Sequence, residues 1–204
     1  MRKTEKNLMM VTGIFVMSLL VANVVAGKVV DLFGFIVPAA VVAYGITFLC
    51  TDIVGEIWGK KEANRMVKVG FVSQVLGLAL IFLALKLPPA FFAVEFSKNF
   101  DIVLGQSARV VIASLSAYLV SQFNDVFVFH KLKAKHNNKH KWIRNNLSTA
   151  TSQLIDTSIF ITFAFYGVVP NIIWMIISQY VIKLLIAILD TPIFYLATKN
   201  TDSN

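Results

Sequence analysis

The sequence predicts an all-helical integral membrane protein, a bundle of about six transmembrane helices with both termini in the cytoplasm. Three observations predict it. The chain of 204 residues is 57% hydrophobic with mean hydropathy +0.72, above the ~45–50% of soluble domains. The excess falls in blocks, several of which reach the ~20 residues needed to cross a ~30 Å hydrocarbon core. Basic residues collect in alternate connections between those blocks, and acidic and amide residues sit inside them.

The predicted spans are 8–26, 35–51, 66–85, 106–129, 148–168 and 172–197. The first apolar run has no early small-residue cleavage site and reads as a span. Pro38 is expected in the first turn of the second helix, where a missing N–H matters least. Pro88-Pro89 ends the third helix, and Gly167 and Pro170 form the turn between the fifth and sixth. The stretch from Pro89 to Gly105 is the one sizeable outer loop. Its Phe91, Phe92, Phe96 and Phe100 suit a segment lying on the outer leaflet better than a lid. The longest polar stretch, 130–146, is too short to bury a core, so residues 1–204 read as one transmembrane domain.

The net charge of +8 follows topology. One side collects Arg2, Lys3, Lys6, Lys60, Lys61, Arg65, Lys68, Lys131, Lys133, Lys135, Lys139, Lys141, Arg144 and Lys199. The other has Lys28, Lys86 and Lys98. The positive-inside rule places the first set in the cytoplasm, as an even number of spans requires if both termini share a side. No nucleic-acid role is needed to explain the charge. Arg109 and Lys183 remain within spans, Arg109 near the outer interface, where it can snorkel. Cys50 is the single cysteine, which excludes a disulfide framework and a thiolate metal cluster.

A carboxylate at membrane depth is costly and faces a cavity or a partner. Asp52 and Glu56 lie four residues apart, as do Ser121 and Asp125, and Ser152 and Asp156, so each pair shares a helical face. Gln122 and Gln153 stand three residues before Asp125 and Asp156. With Asp190 near the end of the last helix, five carboxylates are expected at similar depth in the inner half of the bundle. Lys183 is expected to pair with a carboxylate on another helix, because Asp190 is seven residues away on its own, ~10 Å in rise. Asn23 lines the cavity or caps a kink. Gln74 and Gln179 suit simple interhelical hydrogen bonds. A weak repeat relates Asp156-Thr-Ser-Ile-Phe160 to Asp190-Thr-Pro-Ile-Phe194.

Such a site suits a flat polar solute. A carboxylate can accept from adjacent N–H donors of a guanine-like edge, and Gln supplies both donor and acceptor. Phe127, Trp58 or Phe160 could stack on the rings. This chemistry admits a purine-like or an amine solute without choosing between them. No cofactor or metal is expected. His136 and His140 have ligand spacing but stand among lysines in a short loop, where solvation explains them. The chain carries no Gly-rich phosphate loop, no His-Glu-x-x-His and no Gly-x-Ser-x-Gly, so neither ATP hydrolysis nor known hydrolase chemistry is indicated.

The segment Thr51-Asp-Ile-Val-Gly-Glu-Ile-Trp-Gly-Lys-Lys-Glu-Ala63, then Ser121-Gln-x-x-Asp125, Trp142-x-Arg144 and Ser152-Gln-x-x-Asp156-Thr157, resembles the queuosine precursor transporter family, earlier grouped with vitamin uptake transporters. The resemblance covers nearly the whole chain. It implies a bacterial inner-membrane protein importing 7-deazaguanines (the 7-cyano or 7-aminomethyl forms, or queuine) for queuosine in tRNA. It carries the family's acidic and amide positions onto Asp52, Glu56, Gln122, Asp125, Gln153 and Asp156. Asn23, Lys183 and Asp190 join them as candidate solute contacts on depth and chemistry. Expected partners are the deazapurine solute and the lipid bilayer; a homo-oligomer is left open. Transport by alternating access is expected, and carboxyls held out of water can exchange protons and couple to them. The alternative is a substrate-binding subunit of an energy-coupling-factor importer, likewise a small six-helix protein without an ATPase.

Overall fold

The computed structural model describes residues 1–25, 28–32, 34–105, 108–135, 141–167 and 171–198. Pro170, Lys139, His136, His140 and Lys199 lie outside them, as do the side chains of Arg109 and Arg144. The described elements are helices α1 (Glu5–Val25), α2 (Val41–Ile57), α3 (Lys60–Leu85), α4 (Val94–Leu104), α5 (Ala108–Lys135), α6 (Lys141–Phe165) and α7 (Ile172–Thr198). A small antiparallel hairpin, β1 (Val29–Leu32) and β2 (Phe35–Pro38), stands between α1 and α2.

The hairpin corrects the expected start of the second helix. Val29, Val30, Phe35, Ile36 and Val37 are β-branched or aromatic and favour extended backbone. Gly34 takes φ 87° in the turn, a value that glycine adopts without steric cost. Val30 pairs with Val37 and Leu32 with Phe35. Pro38 therefore ends a strand instead of opening a helix. The connection between α3 and α5 holds α4, which has no buried residue.

Four helical segments are long and apolar enough to cross a membrane: Glu5–Val25, Lys60–Leu85, Ile112–Ala134 and Ile172–Thr198. Of the remaining three helices, the 11-residue α4 is far too short, and α2 and α6 fall short for separate reasons. α2 has 17 residues, which rise ~26 Å, short of a ~30 Å core. α6 has 25 residues, but its first half is polar, with Asn145, Asn146, Ser148, Thr149, Ser152 and Gln153.

The surface is inverted relative to a soluble protein. On α3, Gln74 is fully buried while Leu76 is 58% exposed. Leu185, Ile188 and Leu189 on α7 are exposed as well, beside buried Lys183. Polar side chains face inward and aliphatic ones outward, the arrangement lipid favours.

The main apolar core joins α1, α2, α3 and α5 through Phe15, Leu19, Val54, Val67 and Tyr118. Close approach at Gly70 makes it tight. A Cβ there would lie 2.6 Å from Tyr118 Oη and 2.8 Å from Leu19 Cδ1. Tyr118 Oη donates to the Val67 carbonyl at 2.8 Å, which satisfies the one polar atom of that ring. A smaller cluster of Ile53, Ile57, Phe129 and Phe194 closes one end of the bundle. There the Met1 ammonium donates to the Ala197 carbonyl.

Candidate functional site

α5 and α6 are extensively packed neighbours and run antiparallel. This exchanges the partners of the two Ser-Gln-x-x-Asp motifs. Ser121 Oγ donates to Asp156 Oδ1 at 3.3 Å. Ser152 and Ser148 in turn are neighbours of the Asp125 carboxyl, and Asn124 Nδ2 donates to Ser152 Oγ at 3.0 Å. Within each motif the serine and aspartate are four residues apart, ~6 Å in rise. Antiparallel packing sets each serine level with the other helix's aspartate.

Asp156 is the better-defined centre. Lys183 Nζ on α7 lies 2.6 Å from its Oδ2, and both side chains are buried. The same Nζ lies 5.3 Å from the Tyr44 ring centroid on α2, within cation–π range. A pocket opens over this pair, lined by Asn23, Tyr44, Ser114, Phe160 and Gln179 and walled by Pro38, Ala40, Val41 and Ala117. Its free space is ≈ 30 Å³, room for a few waters at most. A bicyclic solute therefore enters only as side chains swing or helices part.

Polar contacts knit the pocket wall. Asn23 Oδ1 accepts from Gln74 Nε2 at 3.3 Å and from Ser114 Oγ at 3.4 Å. Tyr44 Oη and Ser114 Oγ are 3.4 Å apart. Gln179 Nε2 has no hydrogen-bond partner among the described residues.

A second polar layer lies further along α2 and α5. Asp125 Oδ2 accepts from Thr51 Oγ1 at 3.1 Å, and Asp52 is a close neighbour of the same carboxyl. Thr149 Oγ1 donates to Asp52 Oδ2 at 3.4 Å. Between the layers, Gln122 Nε2 donates to Thr47 Oγ1 at 3.3 Å. The Oε1 atoms of Gln122 and Gln153 are buried without a partner among the described residues. An unsatisfied buried polar atom costs about 1–3 kcal/mol, so these two amide oxygens are candidate acceptors for a polar guest.

The structure revises the expected grouping. The five carboxylates do not share one level. α6 begins at Lys141, so Asp156 falls beyond the helix midpoint, level with Tyr44. Asp52 is eight residues further along α2 than Tyr44, ~12 Å in rise. Glu56 meets Lys133 at 3.2 Å, away from the pocket. Asp190 is half-buried against Gly45, where a Cβ would stand 3.3 Å from its Oδ2. Asn23 lines the cavity, and Lys183 meets a carboxylate on another helix. Gln74 makes the simple interhelical bond expected of it, while Gln179 turns to the pocket. Of the three aromatic candidates only Phe160 reaches it. Trp58 packs against the apolar clusters, and Phe127 lies exposed under Lys60 and Lys131.

Motif reading does not single out Tyr44 and Thr47 on α2 or Ser114 on α5. Their signal was present on α2: positions 44, 47 and 51 repeat at helical spacing and form one polar stripe.

Comparison with known proteins agrees with this architecture. A family profile described as "Putative vitamin uptake transporter" matches residues 38–197. A Bacillus subtilis (strain 168) protein named "Probable queuosine precursor transporter" is 35% identical over 182 residues, covering 87% of this chain and 79% of the relative. A Haemophilus influenzae protein of the same name is 29% identical over 119 residues, covering 58% of this chain and 48% of that relative. No solved structure matches. The profile spans both Ser-Gln-x-x-Asp motifs, the Asp156–Lys183 pair and most of the pocket wall, and on that match the chain belongs to the vitamin uptake transporter family, among the queuosine precursor transporters.

Proposed function

We propose that this chain imports 7-deazaguanine precursors of queuosine across a bacterial inner membrane. In this reading residues 1–204 form one domain with six spans, α1, α2, α3, α5, α6 and α7, and both termini are cytoplasmic. α2 and α6 complete the count because their polar faces are turned into the bundle, where lipid does not meet them.

The observation that carries the proposal is the pocket over Asp156 and Lys183, at a junction of helices whose outer surfaces are apolar. Its groups suit the solute. The carboxylate accepts from ring N–H and exocyclic NH2, the ammonium and the Gln179 amide donate to a carbonyl, and Phe160 offers an aromatic face. Asp52, Gln122, Asp125 and Gln153 are assigned to the path between this pocket and the cytoplasm. The buried carboxyls along it support coupling to protons. The tight free space accords with alternating access, in which the solute site is exposed in turn to each side.

The test is complementation. The chain is expressed in a bacterium unable to make or import deazaguanines, each candidate solute is supplied with its salvage enzyme, and queuosine in tRNA is measured. Restored queuosine is the expected outcome. Its absence for the 7-cyano, 7-aminomethyl and queuine forms, with the protein in the membrane, would overturn the proposal. Uptake indifferent to pH and to an uncoupler would remove proton coupling alone.

A further inference from the structure

The pocket contains two ionisable groups able to form a charge pair, and each is the other's partner. Lys183 Nζ and Asp156 Oδ2 are 2.6 Å apart. The other lining residues (Asn23, Tyr44, Ser114, Phe160, Gln179 and small apolar groups) carry no charge at neutral pH. The second carboxylate oxygen is held by Ser121 at 3.3 Å, and the ammonium rests over the Tyr44 ring.

We propose that Lys183 is a specificity-determining residue: by neutralising Asp156 it makes the pocket select uncharged planar solutes over cationic ones. The inference rests on the deazaguanine reading and deepens it. Both the carboxylate and the ammonium stay available to a neutral ring, because a carboxylate has about four acceptor positions and an ammonium three donors. A neighbouring acceptor and donor match the adjacent N–H and C=O of a lactam edge. A cationic solute fares differently. It must leave its hydration shell, and no unengaged anion awaits it in the pocket. It also meets the Lys183 ammonium as a like charge in a confined site. Amine solutes, admissible on sequence alone, are therefore disfavoured. Among 7-deazaguanines the uncharged 7-cyano ring is preferred over the protonated 7-aminomethyl ring.

The experiment measures initial uptake of each of these two solutes separately, in cells carrying the full chain, with membrane content checked by immunoblot. The wild type is expected to favour the 7-cyano form by about tenfold or more, about 1.4 kcal/mol, because like charges held close disfavour the cationic ring. Lys183→Met leaves Asp156 without its counter-charge, and the ratio should swing toward the 7-aminomethyl form. Because that variant leaves an unpaired buried charge, which disfavours folding and insertion, Lys183→Met with Asp156→Asn is measured beside it. That neutral double variant should still bind the 7-cyano form in preference, read by competition in detergent, and a preference for the 7-aminomethyl form would overturn the inference. A wild type that favours the aminomethyl ring, or a Lys183→Met ratio equal to the wild type's, would overturn the inference while leaving the deazaguanine reading intact. Uptake of neither solute by the wild type would overturn both.

Discussion

Lys183 Nζ on α7 stands 2.6 Å from Asp156 Oδ2 on α6, both buried between apolar helix surfaces. Breaking a buried pair by removing one partner costs about 3–5 kcal/mol, far more than replacing both. Asp156→Asn should therefore abolish uptake and lower the melting temperature in detergent, while the double variant with Lys183→Met should recover much of the stability and none of the transport. Equal stability of the single and double variants would contradict a buried, mutually dependent pair.

Asp125 has a different environment, set by Thr51 at 3.1 Å and by Asp52. Asp125→Asn should abolish uptake with the protein still inserted. Thr51→Val removes the hydroxyl and leaves Asp125 Oδ2 short of a donor, a loss of about 1–3 kcal/mol. Its transport should fall partway, between wild type and Asp125→Asn. Normal transport in Asp125→Asn would remove the inner layer from the solute path.

Gly70 tests the packing of α3 against α1 and α5. Gly70→Ala places a methyl group 2.6 Å from Tyr118 Oη and 2.8 Å from Leu19 Cδ1. Overpacking of this kind costs about 1–3 kcal/mol, read as an earlier thermal transition. Adding Tyr118→Phe removes one of the crowding atoms together with its bond to Val67, so recovery should be partial. A Gly70→Ala protein as stable as wild type would show that the helices separate there freely.

Topology can be read by cysteine labelling, since Cys50 is buried and Cys50→Ser supplies a clean background. A cysteine at Lys98 should react with an impermeant maleimide in intact cells. One at Lys131 should react only after permeabilisation. Labelling of both from outside would refute the six-span reading.

Much of the bundle was legible in the sequence. Apolar blocks are local properties, and a helix in lipid satisfies its own backbone, so four long apolar helices among the described residues follow from composition alone. The strand pair 29–38 was not legible as such, because a short apolar run reads equally as buried helix or strand. The tightly turning Gly34 and the β-branched residues around it decided for the hairpin. The facing of Ser121 with Asp125, and of Ser152 with Asp156, also follows from helical period. What period cannot supply is the neighbour. The order and rotation of α5, α6 and α7 bring Ser121 to Asp156 and Lys183 to the same carboxylate, and leave Glu56 to Lys133. Sequence by itself determined which residues are too polar to face lipid; only the tertiary packing decided which of them meet, because pairing between helices depends on relative rotation and depth, and these are set by close contacts such as Gly70 against Tyr118 and Gly45 against Asp190, far apart along the chain.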